Sequence, residues 1–249
     1  MPKWLKFLLL GLVGLLLVGS GGFVLWASNP LPAMPEALAA LQSDDRVEVR
    51  VEGSWMTFVP RSGSPGAGFV FYPGGRVDAR AYAPLAHEIA AQGFLVVIVR
   101  MPLNLAVFNP NAAEAVLATY PEVQGWVVGG HSLGGAMAAS FARQNLSQVE
   151  GLILLASYPA SSADLSATDL AVLSIYATQD GLASVDKIRA AQTLLPASTQ
   201  WVAIEGGNHA QFGWYGEQPG DGVATLSRSE QHRQTLAAIL KFLESVQSR

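Results

Sequence analysis

The sequence contains no cysteine, which excludes disulfide bonds, thiolate metal sites and a cysteine nucleophile. Charged residues are scarce, at 14% of 249 residues, and the formal net charge is −4. The absence of any lysine and arginine cluster argues against a nucleic-acid partner. The sequence also lacks a phosphate-binding loop, a metal-ligand cluster and a dinucleotide-binding fingerprint, so it predicts no cofactor. Half of the residues are hydrophobic, which is enough to bury the core of one large domain.

An apolar segment begins the sequence. Lys3 and Lys6 precede an almost wholly apolar run that extends to Ala27. As a helix from residue 5, this run would be about 35 Å long and would cross the ~30 Å hydrocarbon core of a membrane. A cleaved signal peptide is an alternative, with a processing site at residues 18–20, but the run continues beyond that site to Trp26. A buried core helix conflicts with the length and the lysines. The lysines predict a cytoplasmic N-terminus, with the rest of the chain anchored outside, or secreted if the segment is cleaved.

The remainder of the sequence predicts an α/β fold. Residues 29–35 are rich in proline and read as a stiff spacer that holds the domain off the membrane. Alternating valines from Val47 to Val51, followed after Gly53 by residues 55–59, predict an antiparallel hairpin. After the hairpin, apolar strands alternate with helices. This pattern is typical of a mostly parallel, twisted sheet of about seven to eight strands with helices on both faces.

One short motif predicts a nucleophile. Gly130, Ser132 and Gly134 fit the pattern G-x-S-x-G, which follows an apolar strand and precedes a helix. In this nucleophile elbow the chain turns so sharply that the serine adopts a strained backbone conformation, and only glycine fits two residues on either side. The other serines of the sequence do not have both glycines. The strained turn exposes the hydroxyl at the N-terminus of a helix, where developing negative charge is stabilised.

A serine nucleophile needs a base that removes its proton and an acid that orients the base. Asp180 directly follows a predicted strand at residues 171–177, and His209 follows the last predicted strand in a loop that contains glycine. The order serine, acid, histidine is that of a hydrolase with this elbow. Glu205 is the second choice for the acid. His131 belongs to the elbow, and we expect its side chain to point away from the site.

Two backbone N–H groups are expected to form an oxyanion hole. The first is that of Leu133, the residue after the nucleophile. The second comes from the loop after the predicted strand at residues 69–72, where we favour Gly75 and Arg76 is the competitor. Glycines allow the backbone to approach a substrate closely.

These motifs resemble the α/β-hydrolase superfamily, in particular serine esterases of the compact branch similar to dienelactone hydrolase. The resemblance covers residues 47–243. Dienelactone hydrolases proper use a cysteine nucleophile, which this sequence does not have, and the family often has histidine where this sequence has Pro73. The motifs that carry the resemblance are Gly-His-Ser-Leu-Gly-Gly (130–135), Tyr-Pro-Gly-Gly (72–75), Ala-Tyr-Ala-Pro-Leu-Ala (81–86), Asp180 and His209.

The resemblance implies hydrolysis of a carboxylic ester through an acyl-enzyme, with a small-molecule ester as substrate. In this fold a lid usually follows the strand at residues 152–155, but residues 157–170 are too few for a large cap domain, so an open site is expected. Tyr158, Phe212, Trp214 and Tyr215 are candidates for its lining.

The same residues leave other functions open. A thioesterase, an amidase or peptidase, or a cofactor-free perhydrolase would use the same triad, and a membrane-tethered binding protein would use the fold without catalysis. The sequence thus divides into an anchor or signal segment (1–28), a Pro-rich linker (29–45) and a catalytic domain (46–249).

Overall fold

The computed structural model describes residues 2–62 and 66–248. Residue 1 of the predicted anchor or signal segment, and residues 63–65 and 249 of the predicted catalytic domain, lie outside the described residues. The described chain forms an eight-stranded sheet of order β1-β2-β4-β3-β5-β6-β7-β8, in which the pairs β1–β2 and β2–β4 are antiparallel and the other five pairs are parallel. The predicted α/β fold is confirmed. The strands are β1 (Val47–Val51), β2 (Trp55–Pro60), β3 (Ala67–Tyr72), β4 (Leu95–Val99), β5 (Gly125–His131), β6 (Gly151–Leu155), β7 (Ala171–Ala177) and β8 (Gln200–Ile204).

Helices cover both faces of the sheet. Ile89 of α3 and Phe242 of α7 belong to the core cluster on one face, and Val116 of α4 and Phe141 of α5 belong to that on the other. Strands covered on both sides must be apolar throughout, which explains the continuous hydrophobic sequences of β3, β4 and β6. The helices are α1 (Lys3–Ala27), α2 (Pro35–Ala39), α3 (Ala83–Ala90), α4 (Ala112–Thr119), α5 (Leu133–Gln144), α6 (Val185–Ala190) and α7 (Arg228–Gln247).

The parallel strands place functional loops at one edge of the sheet. The residues after β3, β5, β7 and β8 all leave the carboxyl ends of neighbouring parallel strands, where sites of α/β proteins are built. The connection between β6 and β7, residues 156–170, carries only a single 3-10 turn, at Ser161–Ala163. No large cap domain therefore covers this edge in the described chain.

The segment that was expected to be a spacer lies on the surface of the domain. Leu31 forms a parallel bridge with Val77, and Ala33 forms an antiparallel bridge with Tyr215. The N–H of Met34 also donates to the carbonyl of Trp214, at 2.8 Å. Proline has no N–H group, but the other residues of the segment keep theirs, and here those of Leu31 and Met34 form hydrogen bonds with the domain. The segment thus follows the domain surface and does not extend away from it.

Candidate active site

Ser132 lies between β5 and α5 in a strained conformation, with φ of 53° and ψ of −124°. A positive φ in a residue with a side chain is costly and persists only where the surroundings enforce it. The surroundings here are tight, because a Cβ atom on either Gly130 or Gly134 would overlap the carbonyl oxygen of Tyr72. The glycines of the motif are therefore required by the close approach of β3, β5 and α5.

The predicted base and acid form a buried pair. Nδ1 of His209 donates to Oδ2 of Asp180 at 2.8 Å, and both side chains are buried. The other carboxylate oxygen, Oδ1, accepts the N–H groups of Leu182 and Ala183, each at 2.7 Å. These bonds fix the carboxylate, and the carboxylate in turn fixes the imidazole tautomer that carries its proton on Nδ1. Glu205, the alternative acid, is exposed.

The second ring nitrogen of His209 is available for chemistry. Nε2 is buried and has no hydrogen-bond partner in the part of the chain that the structure describes. A buried polar atom without a partner is costly, and its presence in a cleft is typical of a site that a ligand completes. With Nδ1 protonated, Nε2 carries a lone pair and can accept a proton.

Ser132 and His209 line the same cavity, of about 280 Å³. Tyr158 and Leu182 contribute to its walls, so the nucleophile candidate and the base candidate share a partly apolar cleft. Of the aromatic residues expected to line the site, only Tyr158 does so among the described residues. Phe212 and Tyr215 are buried. The other residues that line the cavity are Leu133, Ala136, Ala156, Ser157, Ala183.

The structure separates the two candidates for the second oxyanion donor. The N–H of Arg76 donates to the carbonyl of Asn104 at 2.8 Å, so it is occupied. The N–H of Gly75 has no hydrogen bond among the described residues. A Cβ on Gly75 would lie 3.0 Å from Cδ2 of Leu133, so Gly75 lies beside the side chain of the residue expected to supply the first donor. The N–H of Leu133 opens helix α5, where it has no acceptor within the helix.

His131 does not point away from the site, and that prediction is wrong. Its ring packs against the ring of His209, with centroids 4.4 Å apart, on the side buried by Phe212. Nδ1 of His131 lies 2.8 Å from the hydroxyl of Tyr82, which also accepts the N–H of Gly74 at 3.1 Å. The hydroxyl has both a proton and a second lone pair, so the tautomer of His131 decides whether Nδ1 accepts from it or donates to it. Strand alternation alone does not tell which face of β5 meets the base.

Burial keeps His131 neutral. Desolvation, with a smaller contribution from His209, lowers the pKa of His131 well below its ordinary value of 6.5. Burial likewise raises the pKa of Tyr82 far above its ordinary range. The ring that packs against His209 is thus uncharged near neutral pH and places no positive charge beside it.

Asp221 was not identified from the sequence. Its Oδ1 accepts the N–H groups of Gly181, His209 and Gly222, at 3.2, 3.2 and 2.8 Å, and its Oδ2 accepts that of Ala210 at 2.8 Å. One carboxylate therefore joins the loop after Asp180 to the loop that carries His209. No local pattern reveals these bonds, because three of the four connect residues 11 to 40 positions apart.

The carboxylates of the site are fully engaged by backbone N–H groups and by His209. No group of three or more acidic or histidine side chains within residues 2–62 and 66–248 is arranged to hold a metal ion. The structure thus brings Ser132, His209 and Asp180 to one edge of the sheet, where the loop of Gly75 also lies.

Comparison with known proteins gives the family. Residues 68–233 match the model described as "Alpha/beta hydrolase family", which covers more than half of the chain, and the chain belongs to this family. The match begins within β3 and ends within α7, so it includes every loop of the candidate site. Membership of this family supports a hydrolase activity.

Solved structures agree with the fold. The chain is similar to a predicted CIB-like hydrolase from Thermoplasma acidophilum, with a TM-score of 0.59 and 13% identity over 78% of this chain and 99% of the other. It is also similar to the esterase domain of a Rhodothermus marinus protein, with a TM-score of 0.60 and 12% identity over 79% of this chain and 97% of the other. At this level of identity the similarity shows the fold alone. No curated protein matches the chain.

Proposed function

We propose that residues 46–249 form a serine hydrolase that cleaves carboxylic esters through an acyl-enzyme. The observation that carries the proposal is the buried pair of His209 and Asp180: His209 lines the same cavity as Ser132, and its Nε2 has no hydrogen-bond partner among the described residues. In this proposal Ser132 is the nucleophile, His209 the general base and Asp180 the group that orients the imidazole. Gly75 and Leu133 supply the oxyanion N–H groups.

The first half of the reaction forms the acyl-enzyme. Nε2 of His209 takes the proton of Ser132 as Oγ bonds to the ester carbonyl carbon, and the carbonyl oxygen becomes an anion. The N–H groups of Leu133 and Gly75 donate to this anion. The imidazolium then gives its proton to the alkoxide oxygen as the carbon–oxygen bond breaks, and the alcohol leaves.

The second half returns the enzyme to its starting state. Water attacks the acyl carbon while Nε2 of His209 takes one of its protons, and the same oxyanion donors stabilise the second tetrahedral intermediate. The proton passes back to Oγ of Ser132 as the acyl bond breaks. The sum is one ester and one water converted to one carboxylic acid and one alcohol.

Labelling with a fluorophosphonate tests the nucleophile. The probe phosphonylates an activated serine, so we expect the wild-type protein to take one label at Ser132, read by intact mass and peptide mapping. Ser132→Ala should take none and should lose hydrolysis by about 10³-fold or more. Ser140→Ala is the matched control, because Ser140 lies on the same helix and bonds to the carbonyl of Ala136. A folded wild-type protein that takes no label would indicate a binding protein on a hydrolase fold.

A substrate panel tests the bond that is cleaved. p-Nitrophenyl esters of increasing chain length, thioesters and anilides differ in the leaving group while the same triad acts on each. Peracid formation in hydrogen peroxide is measured alongside. We expect the highest kcat/KM for an ester, and a higher value for a thioester or an anilide, or faster peracid formation, would replace the ester in this proposal.

A further inference from the structure

Helix α1 is exposed and apolar along its length. It runs from Lys3 to Ala27, and no residue of its most apolar 18-residue window is buried. At 1.5 Å per residue its 25 residues span about 37 Å, more than the ~30 Å core of a membrane. It is the one helix among the described residues long and apolar enough to cross a membrane. A core helix would be buried, so the remaining interpretations are an anchor and a cleaved signal.

The domain holds the C-terminal end of α1. The guanidinium of Arg76 donates to the carbonyls of Trp26 and Asn29, at 3.0 and 2.8 Å, and lies 4.2 Å above the ring of Trp26. The side chain of Asn104 donates to the carbonyl of Ala27 at 2.9 Å. Cleavage at residues 18–20 would leave all three of these acceptors on the mature chain. The contacts therefore fix the C-terminal end of α1 to the domain, and they do not distinguish an anchor from a cleaved signal.

No spacer separates α1 from the domain. Ala27 is fully buried, and four residues later the N–H of Leu31 donates to the carbonyl of Arg76 at 2.7 Å. If α1 spans a membrane, the surface around Arg76 lies at the membrane face. Arg76 directly follows Gly75, so the membrane face adjoins the loop proposed to hold the oxyanion.

Apolar side chains surround the end of α1. Phe108 is 50% exposed and Val107 is 46% exposed. The ring of Phe108 lies 6.2 Å from that of Phe23 in an edge-on arrangement. These residues follow β4 at the edge of the sheet that carries the candidate site, and their neighbour Leu105 would lie 3.5 Å from a Cβ on Gly75. The α1-proximal surface consists of Arg76, Asn104, Val107, Phe108.

We propose that the α1-proximal surface lies in the interface of the bilayer that α1 spans, and that the site hydrolyses amphiphilic esters resident in that bilayer. Aromatic and aliphatic side chains next to an arginine suit the headgroup region, where apolar surface inserts and the guanidinium meets lipid phosphates. The substrate part of this inference rests on the proposed esterase function. The membrane part does not.

Site-specific labelling tests the membrane part without any activity. Because the chain has no cysteine, Phe108→Cys carries a single environment-sensitive fluorophore in the full chain, reconstituted in vesicles of phosphatidylcholine and phosphatidylglycerol. Leu146→Cys is the matched control, since Leu146 is 40% exposed and precedes β6 at the opposite edge of the sheet. We expect headgroup-level spin-labelled lipids to quench the label at 108 about tenfold more than that at 146. Equal quenching at the two positions would overturn the proposal.

Two esters test the substrate part. Phe108→Asp should lower hydrolysis of a fluorogenic long-chain ester embedded in the vesicles by about tenfold, while hydrolysis of soluble p-nitrophenyl acetate is unchanged. Leu146→Asp should change neither rate. Equal rates for wild type and Phe108→Asp on the embedded ester would overturn the inference while the esterase function stands. A wild type that hydrolyses neither ester would refute the esterase function, and the quenching result would then decide the membrane part alone.

Discussion

The two halves of the candidate site are held in place by different forces. Ser132 is positioned by steric exclusion, because the backbone of β3 leaves no room for a side chain at Gly130 or Gly134. His209 is positioned by the hydrogen bonds that it donates to two carboxylates, one on Asp180 and one on Asp221. The half that carries the proposed nucleophile, residues 130–134, is thus one continuous segment, which we call the nucleophile half. The acid–base half is assembled from three loops, which carry Asp180, His209 and Asp221.

The difference has a consequence for mutation. A change in the nucleophile half affects close backbone packing, so it should reduce folding stability together with activity. A change in the acid–base half affects the direction and tautomer of one ring, so it should reduce catalysis while the protein stays folded. Substitutions of similar size in the two halves therefore distinguish positioning by close packing, which affects folding stability, from positioning by hydrogen bonds, which affects catalysis.

The largest catalytic effect in the acid–base half is expected for Asp180→Asn. The amide oxygen can still accept the N–H groups of Leu182 and Ala183, but its NH₂ group then faces Nδ1 of His209. The imidazole must then adopt the tautomer that has its lone pair on Nδ1 and its proton on Nε2, so Nε2 cannot act as the base. We expect kcat for p-nitrophenyl acetate to fall about 10⁴-fold.

The thermal midpoint provides the control for this variant. It should remain within about 5 °C of the wild type, because the side chain keeps its shape and most of its bonds. A loss in kcat smaller than tenfold would show that Asp180 does not set the tautomer of His209.

The nucleophile half is tested by Gly134→Ala. The new Cβ would overlap the carbonyl oxygens of Tyr72 and Pro73, both of which are backbone atoms that cannot rotate away. We expect the free energy of unfolding to fall by about 3 kcal/mol, measured by urea denaturation.

Gly216→Ala is the matched control for the glycine substitution. A Cβ at Gly216 meets no atom within 4 Å, and its φ is not in the left-handed region. Its free energy of unfolding should stay within about 0.5 kcal/mol of the wild type. Similar stability for the two variants would refute the steric account of the elbow.

The nucleophile half was predictable from the sequence because its determinants are local. The glycines, the serine and the following helix lie within one short segment, and the spacing of Gly130, Ser132 and Gly134 carries the steric requirement. Asp180 and His209 were also predictable, since each directly follows an apolar strand and the parallel sheet brings these strand ends together. Strand and hairpin positions followed from hydrophobic pattern in the same way.

The support of the acid–base half was not predictable, because it depends on contacts between distant segments. Asp221 looks like an ordinary polar loop residue, and nothing nearby shows that its carboxylate accepts N–H groups from two other loops. His131 lies within the motif, yet its contact with His209 depends on which face of β5 the last loop covers. The position of residues 29–35 on the domain likewise depends on backbone bonds that proline content does not reveal.

Asp221→Asn tests that support with a smaller expected effect. The amide has one acceptor oxygen in place of two, so some of the N–H groups of Gly181, His209 and Ala210 lose their acceptor. The loop that carries His209 then loses its fixed position, and a displacement of about 1 Å costs on the order of 10²-fold in rate. We expect kcat to fall by about 10- to 100-fold with KM changed less than about threefold.

A neighbouring acid provides the control for Asp221. Glu217 is exposed in the same loop, and Glu217→Gln should leave kcat unchanged while removing the same charge. If Asp221→Asn loses activity only in proportion to the fraction unfolded at the assay temperature, Asp221 supports the fold and does not position the base.

The smallest effect concerns His131, which supports the base ring from behind. Burial lowers the pKa of His131 well below 6.5 in the folded protein, so the unfolded chain binds its proton first as the pH falls. The stability that depends on its neutral form is complete above pH 6.5 and is lost progressively below it, toward the lowered pKa. His131 alone thus contributes up to about 1.4 kcal/mol per pH unit to the acid loss of stability.

His131→Asn removes this titration and retains a polar side chain beside Tyr82. Urea denaturation from pH 7 to pH 5 should therefore give a pH slope that is shallower than that of the wild type by up to about 1.4 kcal/mol per unit. The other titratable groups that face His131 are His209, Tyr82 and Tyr215, and they are present in both proteins, so their contributions cancel in the difference. Equal pH slopes for the two proteins would show that His131 binds its proton equally in the folded and unfolded states. Its ring would then support His209 by packing alone.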